Sequence, residues 1–115
     1  MVKREVVGAH YGLTGWLAQR VSAIMMIAYT LLLLLVLARM PQIDYGHWKA
    51  LWSIPMMRYC TALFLLALYV HAWVGIRNIF MDYIKDPGLR LTLYVFTIIS
   101  LVWYAIWSAQ ILWGL

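Results

Sequence analysis

One histidine stands inside an otherwise apolar stretch. His71 lies in TALFLLALYVHAWVGI, and an ionisable residue at the centre of such a segment costs about 2.5–3.5 kcal/mol to place in lipid and usually marks a function. At 100° per helical residue, Gly75 falls about 40° from His71, while Asn78 and Asp82 fall about 20° to either side. Ala67 and Phe64 continue the same stripe in the other direction. One helix face thus carries an imidazole, then small and polar residues, then a carboxylate at its end. Lipid cannot satisfy such a face, so it must point into a bundle or toward a cofactor. A neutral imidazole at mid-helix can serve as an axial ligand to haem iron, and a glycine one turn away leaves room for a flat macrocycle. The same imidazole could instead hydrogen-bond a neighbouring helix, and the residue pattern leaves both readings open.

Arg20 is the second residue of interest. It opens the first apolar stretch at a depth similar to the second half of the His71 helix. Haem propionates need cationic or polar partners, and Arg20 could supply one; it could equally snorkel toward lipid headgroups. Asp82 and Tyr83 close the His71 helix, about 16 Å beyond the imidazole. The Tyr83 phenol could donate to a quinone carbonyl and Asp82 could relay protons, or both could be ordinary interfacial residues. Arg77 belongs to the same mouth or snorkels. His10 precedes the first apolar stretch and His47 sits between the first two; both read as solvated histidines. Only one candidate ligand therefore lies within a span, and a six-coordinate haem would take its second ligand from another polypeptide.

Three segments are long and apolar enough to hold these residues in a bilayer, which needs about 20 apolar residues per helix. They run from about 16 to 38, 57 to 81 and 91 to 112. Pro41 ends the first, since proline lacks the N–H that a continuing helix needs. Residues 43–54, with Asp44, Gly46, His47 and Lys49, read as an extramembrane loop whose Trp48 and Trp52 suit the headgroup level. Pro55 can open the second helix, and Lys85-Asp86-Pro87-Gly88 reads as a tight polar turn. The expected fold is all-α: a single domain over residues 1–115, made of three membrane-spanning helices running up, down and up.

Composition agrees. Of 115 residues 66% are hydrophobic and 11% charged, against roughly half and a quarter in soluble domains. A chain this short could not bury that surplus in a water-soluble core. The net charge of +5 does not indicate nucleic acid, because the basic residues are scattered at the ends of apolar runs and form no patch. They indicate orientation instead. Lys3, Arg4, Arg20, Arg77, Lys85 and Arg90 belong to one side, and Arg39, Lys49 and Arg58 to the other. The positive-inside rule then puts the N-terminus in the cytoplasm. Met1–Gly15 lacks the apolar core of a secretory signal and the composition of an organellar transit peptide, which favours the cytoplasmic (inner) membrane of a bacterium. The single Cys60 excludes an internal disulfide and a cysteine-ligated iron–sulfur cluster; it reads as a small filler in the helix.

Two strings resemble a known family. His71-Ala72-Trp73-Val74-Gly75, followed by Asp82-Tyr83, resembles the second helix of the small membrane-anchor subunits of succinate dehydrogenase, and Gln19-Arg20-Val21-Ser22-Ala23 resembles the start of their first helix. The likeness covers essentially the whole chain. It implies two anchor subunits of three helices each, holding one b-type haem between them. It further implies His71 as this subunit's axial ligand to the haem iron and Arg20 as an arginine near the propionates. Tyr83 would hydrogen-bond ubiquinone, with Asp82 beside it. The implied partners are the second anchor subunit, which gives the other haem ligand, an iron–sulfur subunit and a flavoprotein subunit that oxidises succinate. No succinate site and no flavin motif is expected on this chain.

Two other readings are distinguishable. A fumarate reductase anchor would run the reaction in reverse with a low-potential quinone. A structural scaffold or small transporter subunit would need no His71 stripe, and the absence of Asp or Glu from the spans before Asp82 argues against proton-coupled export.

Overall fold

The computed structural model describes residues 8–114, with side chains described from residue 13 onward. The described chain is all helical: α1 (Gly8–Arg39), α2 (Tyr45–Trp52), α3 (Pro55–Tyr83) and α4 (Pro87–Trp113). Three stretches are long and apolar enough to cross a membrane, Leu13–Arg39, Pro55–Tyr83 and Pro87–Trp113. Their 27, 29 and 27 residues correspond to about 40–44 Å of helix, more than the roughly 30 Å hydrocarbon core.

Each span extends beyond the expected boundaries. Apolarity reports where a helix meets hydrocarbon, while backbone hydrogen bonding continues until a residue or cap stops it. α1 begins at Gly8 rather than near Trp16, so His10 falls within the helix; its side chain lies outside the described residues. α4 begins at Pro87, not near Leu91. Asp86 caps it by accepting from the Leu89 N–H at 3.3 Å, and Pro87 occupies the first turn, where its missing N–H costs nothing. The turn between the second and third spans is therefore only Ile84–Asp86.

The expected loop between the first two spans is in fact a short helix. Asp44 Oδ1 accepts from the His47 N–H at 2.8 Å and caps α2. His47 is exposed on this helix, its Nδ1 2.7 Å from the same carboxylate oxygen. These two bonds, the backbone one first, hold the Asp44 carboxyl below its ordinary pKa. Trp48 and Trp52 meet edge to face at 5.3 Å.

α3 is the central element and packs against α1, α2 and α4. Near α2, Tyr29, Leu51 and Met57 form a small core, with Cys60 and Phe64 packed against it. Phe64 stacks on Tyr29 at 4.6 Å. The Thr61 hydroxyl donates to the Met57 carbonyl at 2.8 Å, so the buried Tyr29 hydroxyl, 2.6 Å away, donates to Thr61. Between α3 and α4, the Tyr69 hydroxyl reaches Ser108 Oγ and the Tyr104 carbonyl, and Trp73 and Phe80 flank Tyr94. The described part of the chain contains no side chain that is completely buried. Large apolar residues such as Ile24, Leu31, Phe96 and Trp103 stand exposed along the spans, as expected where lipid or another subunit covers them.

Candidate cofactor cleft between α1 and α3

The face of α3 that carries His71 turns toward α1. Ala67 is buried at 5% exposure, and Phe64 stacks on Tyr29 of α1. A methyl group at Gly75 would meet Gln19 Nε2 of α1 at 3.7 Å. That is ordinary contact, so Gly75 sits at the helix–helix seam without being sterically required by this chain. The stripe therefore points into the bundle through four of its members, His71, Gly75, Ala67 and Phe64.

Toward the Arg20 end, the two helices border an open cleft of about 530 Å3. From α1 come Gly15, Trp16, Gln19, Arg20 and Ala23; from α3 come His71, Arg77, Asn78 and Met81. His71 and Arg20 are thus brought to one cavity. Asp82 and Tyr83 are not among its lining residues. They follow directly after Met81 at the end of α3, both exposed, Tyr83 at 77%.

His71 is fixed by Ser22. Ser22 Oγ lies 3.0 Å from His71 Nδ1 and donates to the Gln19 carbonyl at 3.1 Å. Ser22 is 3% exposed, so water does not compete for these bonds. Among the described residues nothing bonds Nε2, the other ring nitrogen of His71.

Cations dominate the rest of the cleft. The Arg20 guanidinium sits 5.3 Å from the centre of the Trp16 ring, within range of a cation–π contact. Arg77 lies about 120° around α3 from His71, yet its long side chain reaches back to α1. A methyl group at Gly15 would come within 3.3 Å of Arg77 Nη2, so the bare glycine lets the guanidinium rest against the helix. Arg77 Nε and Gln19 Oε1 are buried with no hydrogen-bond partner among the described residues. No carboxylate is among the described lining residues. Two cations and an unpaired buried N–H beside an imidazole lack an anionic partner among the described residues, and the unpaired Gln19 carbonyl lacks a donor.

Face arithmetic could not place Arg77, because only side-chain length brings it across. Gln19 and Ser22 had a weak signal: both belong to the polar string that starts the first span.

The comparisons decide the family. Residues 2–107 match the family described as succinate dehydrogenase/fumarate reductase transmembrane subunit. The chain belongs to this family. It is also 32% identical over 102 residues to the succinate dehydrogenase hydrophobic membrane anchor subunit of Coxiella burnetii, a match covering 89% of each protein. The resemblance carried by His71-Ala72-Trp73, Asp82-Tyr83 and Gln19-Arg20 therefore holds for the chain as a whole. With three candidate spans, it is a multi-pass membrane subunit of this oxidoreductase family. The donor set between α1 and α3 also fits the cofactor that the resemblance implies. His71 keeps one ring nitrogen uncommitted, and the cations needed for two carboxylates border the same space.

Proposed function

We propose that this chain anchors a succinate dehydrogenase in a bacterial cytoplasmic membrane, N-terminus inside, and helps to bind a b-type haem and ubiquinone. His71 holds the haem iron through Nε2, and Arg20 faces the propionates. Arg77 joins Arg20 in that role, since it shares the cleft and has a buried, unpaired N–H. The haem, when bound, supplies a one-electron store close to the quinone. Asn78 and Gln19 offer neutral polar atoms at the haem edge. Tyr83, at the end of α3, donates its phenolic proton to a quinone carbonyl, and Asp82 beside it exchanges protons with the aqueous phase. The exposure of both residues suits a site completed by another subunit.

The partners follow from what this chain lacks. Among the described residues it offers one in-span histidine, so a second ligand to the iron would come from a second anchor subunit. Succinate oxidation belongs to a flavoprotein subunit, and an iron–sulfur subunit delivers electrons to the quinone. The apolar residues exposed along all three spans are surface for the second anchor and for lipid.

One observation carries the reading: an imidazole deep in an apolar segment, tethered through Nδ1, in a cleft whose described lining residues include two cations and no carboxylate. The test is the purified complex. Four kinds of chain should co-purify with a b-type absorption spectrum, and His71→Ala should reduce the haem content and shift that spectrum. An unchanged spectrum and haem content in His71→Ala would remove the ligand assignment. The quinone extracted with the complex, of high or low potential, separates succinate oxidation from fumarate reduction.

A further inference from the structure

From the contacts around Ser22 we infer that this buried serine fixes the tautomer of His71 and tunes the haem through it; this rests on the haem reading above.

The argument is one of proton counting. Ser22 Oγ carries a single proton and makes two contacts, to the Gln19 carbonyl at 3.1 Å and to His71 Nδ1 at 3.0 Å. A backbone carbonyl can only accept. Both contacts are hydrogen bonds in one arrangement alone: Ser22 donates to Gln19, and Nδ1–H donates to Ser22. In the opposite tautomer Nδ1 would accept the serine's one O–H as a hydrogen bond, and the Gln19 contact would lapse. With Nδ1 protonated, the lone pair of the neutral ring lies on Nε2, the form that binds a metal. The backbone carbonyl thus sets the serine, and the serine sets the ring.

A second consequence concerns the iron. A hydrogen bond from the far ring nitrogen raises the basicity of the ligating one and orients the ring. Greater basicity favours the ferric state and lowers the potential. Ser22 is the partner through which this chain would set that potential. Being 3% exposed, it has no water to replace it when removed. Ser22 also borders an apolar groove of about 330 Å3 shared with Ala18, Met25 and Ala67, so an added methyl group has room.

That space allows a matched pair of variants in the intact complex. Ser22→Thr keeps the hydroxyl. Ser22→Val has nearly the same shape and lacks it. Ser22→Ala removes the oxygen with no added bulk and guards against a packing failure of valine. Val and Ala should each weaken haem retention about 10- to 100-fold, the usual cost of losing such a partner. They should also shift the haem potential upward and move the low-field electron-paramagnetic-resonance signal. Thr should keep all three near wild type. If Thr and Val shift together, or if Val and Ala match wild type in potential and resonance signal, the role of Ser22 is refuted. Failure of the haem reading itself would look different: no b-type haem in the wild-type complex, or none lost in His71→Ala.

Discussion

Arg77 offers the sharpest prediction, because the sign of its effect depends on whether an anion occupies the cleft. Its Nε is fully buried without a partner among the described residues, its Nη2 rests near Gly15, and Arg20 borders the same cleft. If no anion binds there, Arg77→Leu removes an unpaired, partly desolvated charge and relieves repulsion from Arg20, so the complex should become more stable. With a propionate in place, the same change removes a charge-assisted hydrogen bond. Two unit charges 4 Å apart at an effective dielectric of about 20 attract by about 4 kcal/mol, but the open cleft and salt reduce this. Hydrogen bonds to charged groups contribute about 1.5–3 kcal/mol, which at 1.4 kcal/mol per decade means about 10- to 150-fold faster haem loss. Arg77→Lys should fall between, keeping the charge but not the planar fork. The assay is haem transfer from the detergent-solubilised complex to an excess of a haem-binding acceptor, with thermal unfolding followed in parallel. Unchanged haem retention together with a higher unfolding temperature in Arg77→Leu would refute the reasoning.

Other outcomes follow from the same geometry. Tyr83→Phe should leave haem content and spectrum intact while raising the KM for quinone about 2- to 12-fold, the value of one neutral hydrogen bond, measured with a soluble quinone analogue. Tyr29→Phe removes a hydroxyl that only Thr61 receives; a loss of about 0.6 kcal/mol, the average for interhelical bonds in membranes, should appear in unfolding of the complex, with quinone reduction unaffected. Acid should loosen α2. The Asp44 carboxyl is held low by the His47 backbone N–H and then by its ring, so its contribution is present above the unfolded value near 4 and is lost as pH falls through the lower folded value. Protection of the α2 amides, their exchange taken relative to the intrinsic rate at each pH, should fall across that window, and Asp44→Asn, which still caps, should remove that fall.

How much of this was legible in the sequence varied with the kind of signal. The three spans were legible because bilayer thickness imposes a minimum length of apolar residues. Their ends were not, because Asp86 and Pro87 start α4 by capping chemistry that apolar counting overlooks. Helix α2 was missed for a related reason. Its eight residues are mixed in polarity, and its only clear signal is Asp44 placed to accept from His47. At the cleft, face arithmetic found His71 and a stripe that must face either a bundle or a cofactor, since period and polarity both act within α3. It could not identify Ser22 as the group on Nδ1, because that is a contact between residues 49 positions apart. Nor could it decide for Arg77 between the mouth of the helix and snorkelling, since its own position on the helix faces elsewhere.

The pairing of α1 with α3 changes character along its length, and this division connects stability to function. Toward α2 the two helices are joined by apolar and hydrogen-bonded groups, Tyr29 on Phe64, and Tyr29, Thr61 and the Met57 carbonyl in one relay, with Arg58 Nε the one buried side-chain atom without a hydrogen-bond partner near that end of the described α3. Past Ser22 and His71 they border a cleft holding two arginines and two buried polar atoms that nothing in the described chain satisfies. An unsatisfied buried group costs about 1–3 kcal/mol, so the Arg20 end weakens this helix pair unless a ligand completes it. The α2 end holds the pair together in the meantime. His71 stands at the boundary, fixed by a bond that belongs to the closed half and facing the half that needs a partner. A cofactor that met these groups would therefore serve as structural material as well as an electron store, and under the proposed function its binding should be coupled to assembly with a second anchor subunit.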